Sequence, residues 1–158
     1  MAGIFRFSFG PWNIHEGADP FGPPVRESIE FWEKMEFAAR GGFEGIQFHD
    51  DDAVDLNLSF PKQEKKLREL KSRLNSLGLE AEFIAPRLWE DPLFVDGGFT
   101  ANDPKIRERA LARSKRAVDI ARMLGTKRIV LWPAREGTYC REAKDAKVAI
   151  DYFLEYIN

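Results

Sequence analysis

The sequence predicts an α/β fold built on parallel strands, and three observations predict it. Short apolar strand patterns alternate with amphipathic helix patterns four times over, an order that calls for parallel pairing with crossover helices. Helix boundaries are punctuated by Gly41-Gly42, Gly78, Asp103-Pro104 and Gly125, in the caps such boundaries favour. The loop aromatics and a His-Asp pair collect in or beside the segments that follow strands. Ligands in parallel α/β folds bind at those carboxyl ends.

The first strand is read in Ile4-Phe5-Arg6-Phe7-Ser8-Phe9, which alternates until Gly10-Pro11 stops it. A Gly/Pro-rich loop follows and carries Trp12, Ile14 and Phe21. Loops holding such residues are usually covered by the fold or by a partner. Ser28, Phe31, Trp32, Met35, Ala38 and Ala39 recur at helical spacing, which predicts a helix over 26–40. The second strand runs from Phe43 to Phe48. Pro61 opens the next helix, with Leu67, Leu70, Leu74 and Leu77 as its apolar stripe. The Lys and Arg residues around that stripe read as a solvated face. Residues 80–86 give the third strand, and a long loop with Trp89, Phe94 and Phe99 follows it. Gly97-Gly98 reads as a turn, because the strand–glycine loop–helix order of a phosphate site is missing. Asp103-Pro104 starts a helix that runs to Leu124, with Ile106, Ala110, Leu111, Ala117, Val118, Ala121 and Leu124 inward. The fourth strand is read over 128–132, stopped by Pro133. A last helix begins near Ala143, with Val148, Ile150, Phe153, Leu154 and Ile157 as its apolar residues.

The chain has 158 residues with one composition zone, so it reads as a single domain. A net charge of −2 and the lack of a Lys/Arg block give no footprint for nucleic acid. One cysteine, Cys140, excludes an internal disulfide framework and reads as a loop thiol in a reducing compartment. No basic-then-apolar leader opens the sequence, and no apolar run is long enough to span a bilayer. The expectation is a cytoplasmic protein with no membrane contact.

Phe48-His49-Asp50-Asp51-Asp52 is the stretch with the clearest chemistry. It places a histidine where a buried strand meets solvent, with a carboxylate three residues on. A carboxylate on one imidazole nitrogen fixes the tautomer and raises the basicity of the other, the arrangement of a general base with its orienting partner. A solvated acidic turn is the plain alternative. His15 and Glu16 lie close to Trp12 in sequence, and a surface-loop role is preferred for them.

Taken together these pieces resemble the xylose isomerase family. The matching segments are Phe9-Gly10-Pro11-Trp12, Asp19-Pro20-Phe21-Gly22, Phe48-His49-Asp50-Asp51-Asp52, the run from Pro92 to Asp103 with its Asp96-Gly97-Gly98-Phe99-Thr100-Ala101-Asn102-Asp103, and Leu131-Trp132 with Arg135-Glu136-Gly137. The resemblance implies a TIM-type (β/α)8 barrel, of which residues 1–158 would be the first four βα units, a half barrel. It implies aldose–ketose isomerisation, D-xylose to D-xylulose and also D-glucose to D-fructose, in a homotetramer. His49 would open the cyclic sugar and Asp52 would orient it. Trp12, Trp89 and Trp132 would line the sugar pocket, and Phe21 would reach a neighbouring subunit. Two divalent cations (Mg, Mn or Co) would act as Lewis acids in a 1,2-hydride shift. Their ligands and the catalytic lysine lie on later strands of the family, so no metal ligand is assigned in this chain. The chain is expected to be a truncated form, inactive alone.

Two departures bear on the substrate. Pro133-Ala134 stands where the family often has two glycines, and Ala85-Pro86-Arg87-Leu88-Trp89 replaces a Thr/Asn-rich segment that touches sugar hydroxyls. The competing readings are a non-enzymatic half barrel that binds a sugar or a partner through its open edges, and another enzyme on the same barrel. The latter would be a sugar isomerase or epimerase, or a metal-dependent endonuclease, which the lack of a basic groove disfavours.

Overall fold

A computed structural model describes residues 5–17, 21–138 and 140–158. Strands β1 (Ser8–Phe9), β2 (Gly45–His49) and β3 (Glu80–Ala85) form a parallel sheet in the order β1-β2-β3. A single parallel bridge, Ile84 to Ile129, adds a fourth position beside β3. Helices α1 (Phe31–Arg40), α2 (Asp50–Ala53), α3 (Phe60–Ser76), α4 (Pro104–Leu124) and α5 (Ala146–Ile157) complete the chain. This is the expected strand–helix alternation, and the arrangement is a half barrel.

Alternation along the strands divides the sheet into two faces. Ile46, Phe48 and Ile84 are fully buried against Met35, Leu67, Leu74, Ile120 and Leu124 from the helices. The opposite face carries polar residues. Gln47 Nε2 donates to Ser8 Oγ at 2.8 Å and to Glu82 Oε2 at 3.0 Å, and Ser8 Oγ also donates to Glu82. The bond from Ser8, aided by Gln47, holds the Glu82 carboxyl below its ordinary range against the opposing effect of burial. His49 stands two residues beyond Gln47, on the same face and at the carboxyl edge.

Several elements differ from the sequence expectation. Ile4 lies outside the described residues, and β1 keeps only Ser8 and Phe9 of the expected strand. Phe5 and Phe7 are exposed. Helix α1 starts at Phe31 rather than near Arg26, because Arg26 is tied into the preceding loop through its N–H to Glu16 O at 2.9 Å. The acidic run after His49 is a short helix, α2, rather than a plain turn. Carboxylates in a first turn lie beside unpaired N–H groups and suit that conformation.

The fourth strand is the largest change. Ile84 N donates to Arg128 O and Val130 N to Ile84 O, both at 3.1 Å. The next bond of that ladder needs an N–H at position 86, and Pro86 has none. Pro86 O accepts instead from Leu88 N at 3.0 Å, so pairing ends there and Leu131-Trp132 leave the sheet. Helix α5 begins at Ala146, where Asp145 Oδ1 accepts from Lys147 N at 2.9 Å and Val148 N at 3.0 Å. It packs through Ala149, Phe153 and Tyr156, with the Phe153 and Tyr156 rings 5.8 and 6.2 Å from Phe99. Of the apolar residues of α5, Val148, Ile150, Leu154 and Ile157 are exposed, and Val118 of α4, expected to point inward, is exposed too.

Asp50 is fully buried at the junction of α2, β3 and α4. Arg113 Nε donates to its Oδ2 at 2.6 Å, Arg113 Nη2 to its Oδ1 at 2.9 Å, and the main-chain N–H of Arg87 to Oδ1 at 3.0 Å. Burial alone would lower the Arg113 pKa, and the Asp50 bonds and charge turn the net shift upward. Removing one member of such a pair strands the other. Asp50→Ala is expected to lower stability by about 3–5 kcal/mol, read as a fall in the urea midpoint, and an unchanged midpoint would contradict this account of the junction.

Candidate active site

The site forms where four strand-following segments converge. His49 ends β2 and caps α2. Its position explains the three-residue spacing to Asp52, the third residue of that short helix. From there Asp52 Oδ2 reaches back to the His49 main-chain N–H at 3.1 Å and to the ring Nδ1 at 2.8 Å. A residue at this position reaches back to its helix cap, and the histidine side chain lies along the same path.

Trp12 and Trp89 lie against this pair, and the exposed Trp132 reaches it only through Trp89. The Trp12 ring centroid is 4.8 Å from that of His49, and the Trp89 ring meets His49 edge-on at 5.3 Å. Trp132 stacks on Trp89 at 6.0 Å, and Trp12 also meets Phe83 of β3 at 6.5 Å. Gly10 makes room for Trp12: a Cβ there would lie 2.4 Å from two atoms of the indole. Asn13 then fastens the turn, donating from Nδ2 to Gly10 O at 3.0 Å. Phe21 is almost wholly exposed and lies outside this cluster. Asp19 and Pro20 of its motif fall outside the described residues.

Arg87 was named in the sequence only as a departure, yet it is central here. Its Nη2 donates to Asp52 Oδ1 at 2.7 Å, its Nε to Asp51 Oδ1 at 2.8 Å and its Nη1 to Glu90 Oε1 at 2.8 Å. Nη2 also lies 2.9 Å from His49 Nδ1. Burial alone would raise the Asp52 pKa. The hydrogen bonds from His49 and the charge of Arg87 outweigh it, so the carboxyl is held below its usual range. Asp52 is therefore ionised at neutral pH. Arg87 itself is raised, because Asp52 and Asp51 outweigh the cost of its burial.

Glu136 belongs to the Arg135-Glu136-Gly137 segment. It accepts from the N–H groups of Gly98, Phe99 and Thr100 at 3.2, 3.1 and 2.8 Å, and from Thr100 Oγ1 at 2.8 Å. The Gly97-Gly98 segment is thus a turn, as expected, whose amides hold one of the protein's own carboxylates. Gly97 has φ +101°, the region that favours glycine. Arg135 Nε adds a bond to Trp89 O at 3.4 Å. These contacts join the third and fourth loops and set Trp89 beside Trp132. His15 Nδ1 accepts from Gly17 N at 2.9 Å and serves its own loop. Cys140 is an exposed thiol.

The carboxylates nearest His49 do not fit a divalent cation. Asp50, Asp51 and Asp52 are engaged by Arg87 and Arg113, and Asp55 Oδ1 accepts from Asn57 N. Among the described residues no group of three or more His, Cys, Asp and Glu is placed to hold a metal. No helix among them is long and apolar enough to cross a membrane. A cavity of about 660 Å³ opens at the opposite, amino-terminal end of the strands, lined by Arg6, Ser8, Glu82 and Arg128 among others. It is remote from His49, so cavity size does not point to the chemistry in this chain.

Comparison with solved structures shows the same fold. The probable 3-DHS dehydratase AsbF, involved in petrobactin synthesis, from Bacillus anthracis superposes with a TM-score of 0.56 at 17% identity, over 97% of this chain and 46% of that one. A xylose isomerase domain protein from Planctomyces limnophilus gives 0.54 at 14% identity, over 82% and 44%. The 3-keto-D-glucoside 4-epimerase YcjR from E. coli gives 0.52 at 16%, over 87% and 48%. The chain thus spans a little under half the length of each of these proteins. Residues 35–158 match the family described as xylose isomerase-like TIM barrel, and with most of its length covered the chain belongs to that family.

Proposed function

We propose that this chain carries the sugar-binding and proton-moving part of an aldose–ketose isomerase of the xylose isomerase type, acting on D-xylose and also on D-glucose. One observation carries the reading: His49, backed by an ionised Asp52, lies against Trp12 and Trp89, and Trp132 extends the aromatic row from Trp89. Indole faces pack on sugar C–H groups and exclude water. With its proton on Nδ1 and bonded to Asp52, His49 presents a bare Nε2 to the cyclic sugar. Nε2 takes the proton of the anomeric hydroxyl and returns one to the ring oxygen. The bond from C1 to the ring oxygen breaks, C1 becomes a carbonyl, and Asp52 stabilises the transient imidazolium. The divalent cations of the resemblance find no fitting carboxylates beside His49. The same proposal includes residues 1–158 as the amino-terminal half of the barrel and a cytoplasmic homotetramer with Phe21 at a subunit contact.

A second reading, a different sugar isomerase or epimerase on the same barrel, draws on Arg87. It stands in the segment where the resemblance puts hydroxyl-binding Thr and Asn residues, and it turns its donors to Asp51, Asp52 and Glu90 instead. That change alters which sugar hydroxyls are recognised.

Ring opening is measurable without isomerisation. The chain is expected to speed the exchange of xylose or glucose anomers, followed by polarimetry or NMR, and His49→Ala to lose that acceleration by about a hundredfold or more. Exchange at the uncatalysed rate with both sugars would sink the proposal. Titration with the same sugars should change tryptophan fluorescence saturably, and Trp132→Ala should weaken binding about three- to tenfold. Gly10→Ala should displace Trp12, read as a changed ring-current shift at His49; an unmoved resonance would refute the steric role given to Gly10.

Asp52 also gives the site an acid limit. Its folded pKa lies below the ordinary 3.8, so its contribution to stability is full above that value and is lost as pH falls toward the folded one. Urea midpoints between about pH 5 and pH 2 should fall less steeply for Asp52→Asn than for the natural chain. Parallel curves would contradict the assignment.

A further inference from the structure

Two neighbours of His49 Nδ1 make opposite demands. Asp52 Oδ2, at 2.8 Å, is ionised and only accepts, so a bond to it needs a proton on Nδ1. Arg87 Nη2, at 2.9 Å, only donates, so a bond from it needs a bare Nδ1. A neutral imidazole carries one ring proton. The two contacts are therefore alternatives, and each fixes the other nitrogen. The Asp52-bonded ring offers Nε2 as an acceptor, whereas the Arg87-bonded ring offers Nε2–H as a donor.

From this geometry we propose that Arg87 is a positioning residue that sets the tautomer of His49. It holds part of the population with the proton on Nε2, in balance with the Asp52-bonded form. This deepens the proposed function and rests on His49 being the group that moves the proton. The Arg87-bonded form donates from Nε2 to a sugar oxygen and orients the ring for binding. The Asp52-bonded form then accepts the anomeric proton.

Arg87 is not free to turn away. Its main-chain N–H is held by Asp50, and Nε, Nη1 and Nη2 are each held by a separate carboxylate, on Asp51, Glu90 and Asp52. Its side chain is only 17% exposed. Guanidinium has no neutral form to adopt at any working pH, so the donor stays aimed at Nδ1. Pro86 immediately before it ends the sheet ladder and fixes where the Arg87 main chain leaves β3. Asp52 is shared: Oδ1 goes to Arg87, while Oδ2 faces His49.

Long-range nitrogen–proton NMR of the ¹⁵N-labelled chain reads the tautomer directly, about two pH units above the ordinary histidine value of about 6.5. The chain has two histidines. The second, His15, is an internal reference, because its Nδ1 accepts from Gly17 N–H and is bare. In the natural chain His49 Nδ1 should resonate between the bare position of His15 and the protonated position. Arg87→Met should move it to the protonated position with His15 unmoved, and Arg87→Lys should restore part of the difference. A fully protonated Nδ1 in the natural chain would overturn the proposal, and that reading needs no variant to fold. So would an identical His49 shift in Arg87→Met. The measurement needs no sugar, so a failure of anomer exchange would refute the isomerase reading while leaving the tautomer result standing.

Discussion

Three consecutive carboxylates at the end of a buried strand are costly unless cations meet them, and two arginines do. Asp50 cannot reach water at all. Arg113 on α4 grips it through two bonds, and the Arg87 amide adds a third. Asp51 takes one bond from each arginine. Asp52 is left to face the histidine with one oxygen and Arg87 with the other. Each acid thus has a different task, and the ionic junction anchors α2, β3 and α4 around the edge where His49 sits.

The aromatic wall depends on the backbone beneath it. Trp12 lies close to His49 because Gly10 has no side chain in its way. Trp89 and Trp132 come from two loops joined through Glu136 and Arg135. Rings placed by loops alone would wander; here Asn13 closes the turn that carries Trp12, and Arg135 holds the Trp89 carbonyl. The polar row of Ser8, Gln47 and Glu82 lies on the same sheet face below His49, and Phe83 against Trp12 shares that face, while the other face is apolar core.

Much of this was legible in the residues. The α4 boundaries follow from Asp103-Pro104 and Gly125, and the structure has them there, with Asp103 accepting from Lys105 N and Gly125 in a left-handed conformation. Periodicity named Leu67, Leu70 and Leu74 as core, and they are buried. The resemblance named His49, Asp52 and three tryptophans; Asp52, Trp12 and Trp89 adjoin His49, and Trp132 adjoins Trp89. The apolar run 128–132 has the composition of a strand, but its pairing also depends on a donor in β3's extension. Pro86, visible in the sequence, was the missing donor. Helix α5 begins three residues later than the apolar pattern suggests, because Asp145 supplies the cap. Arg87, Arg113 and Glu136 were not legible as site residues. A cation's partner in three dimensions leaves no mark in local spacing, although an unbroken run of acids is itself a signal that cations must come from elsewhere in the chain.

The carboxylate of Glu136 spans two loops by holding three successive amides of one and belonging to the other. Such a clasp makes the two loops a single cooperative unit. A fluctuation that loosens either one gives up all of these bonds together, so intermediate degrees of opening are sparsely visited. The third and fourth loops, with Trp89 on one and Trp132 at the base of the other, therefore open together or stay closed together.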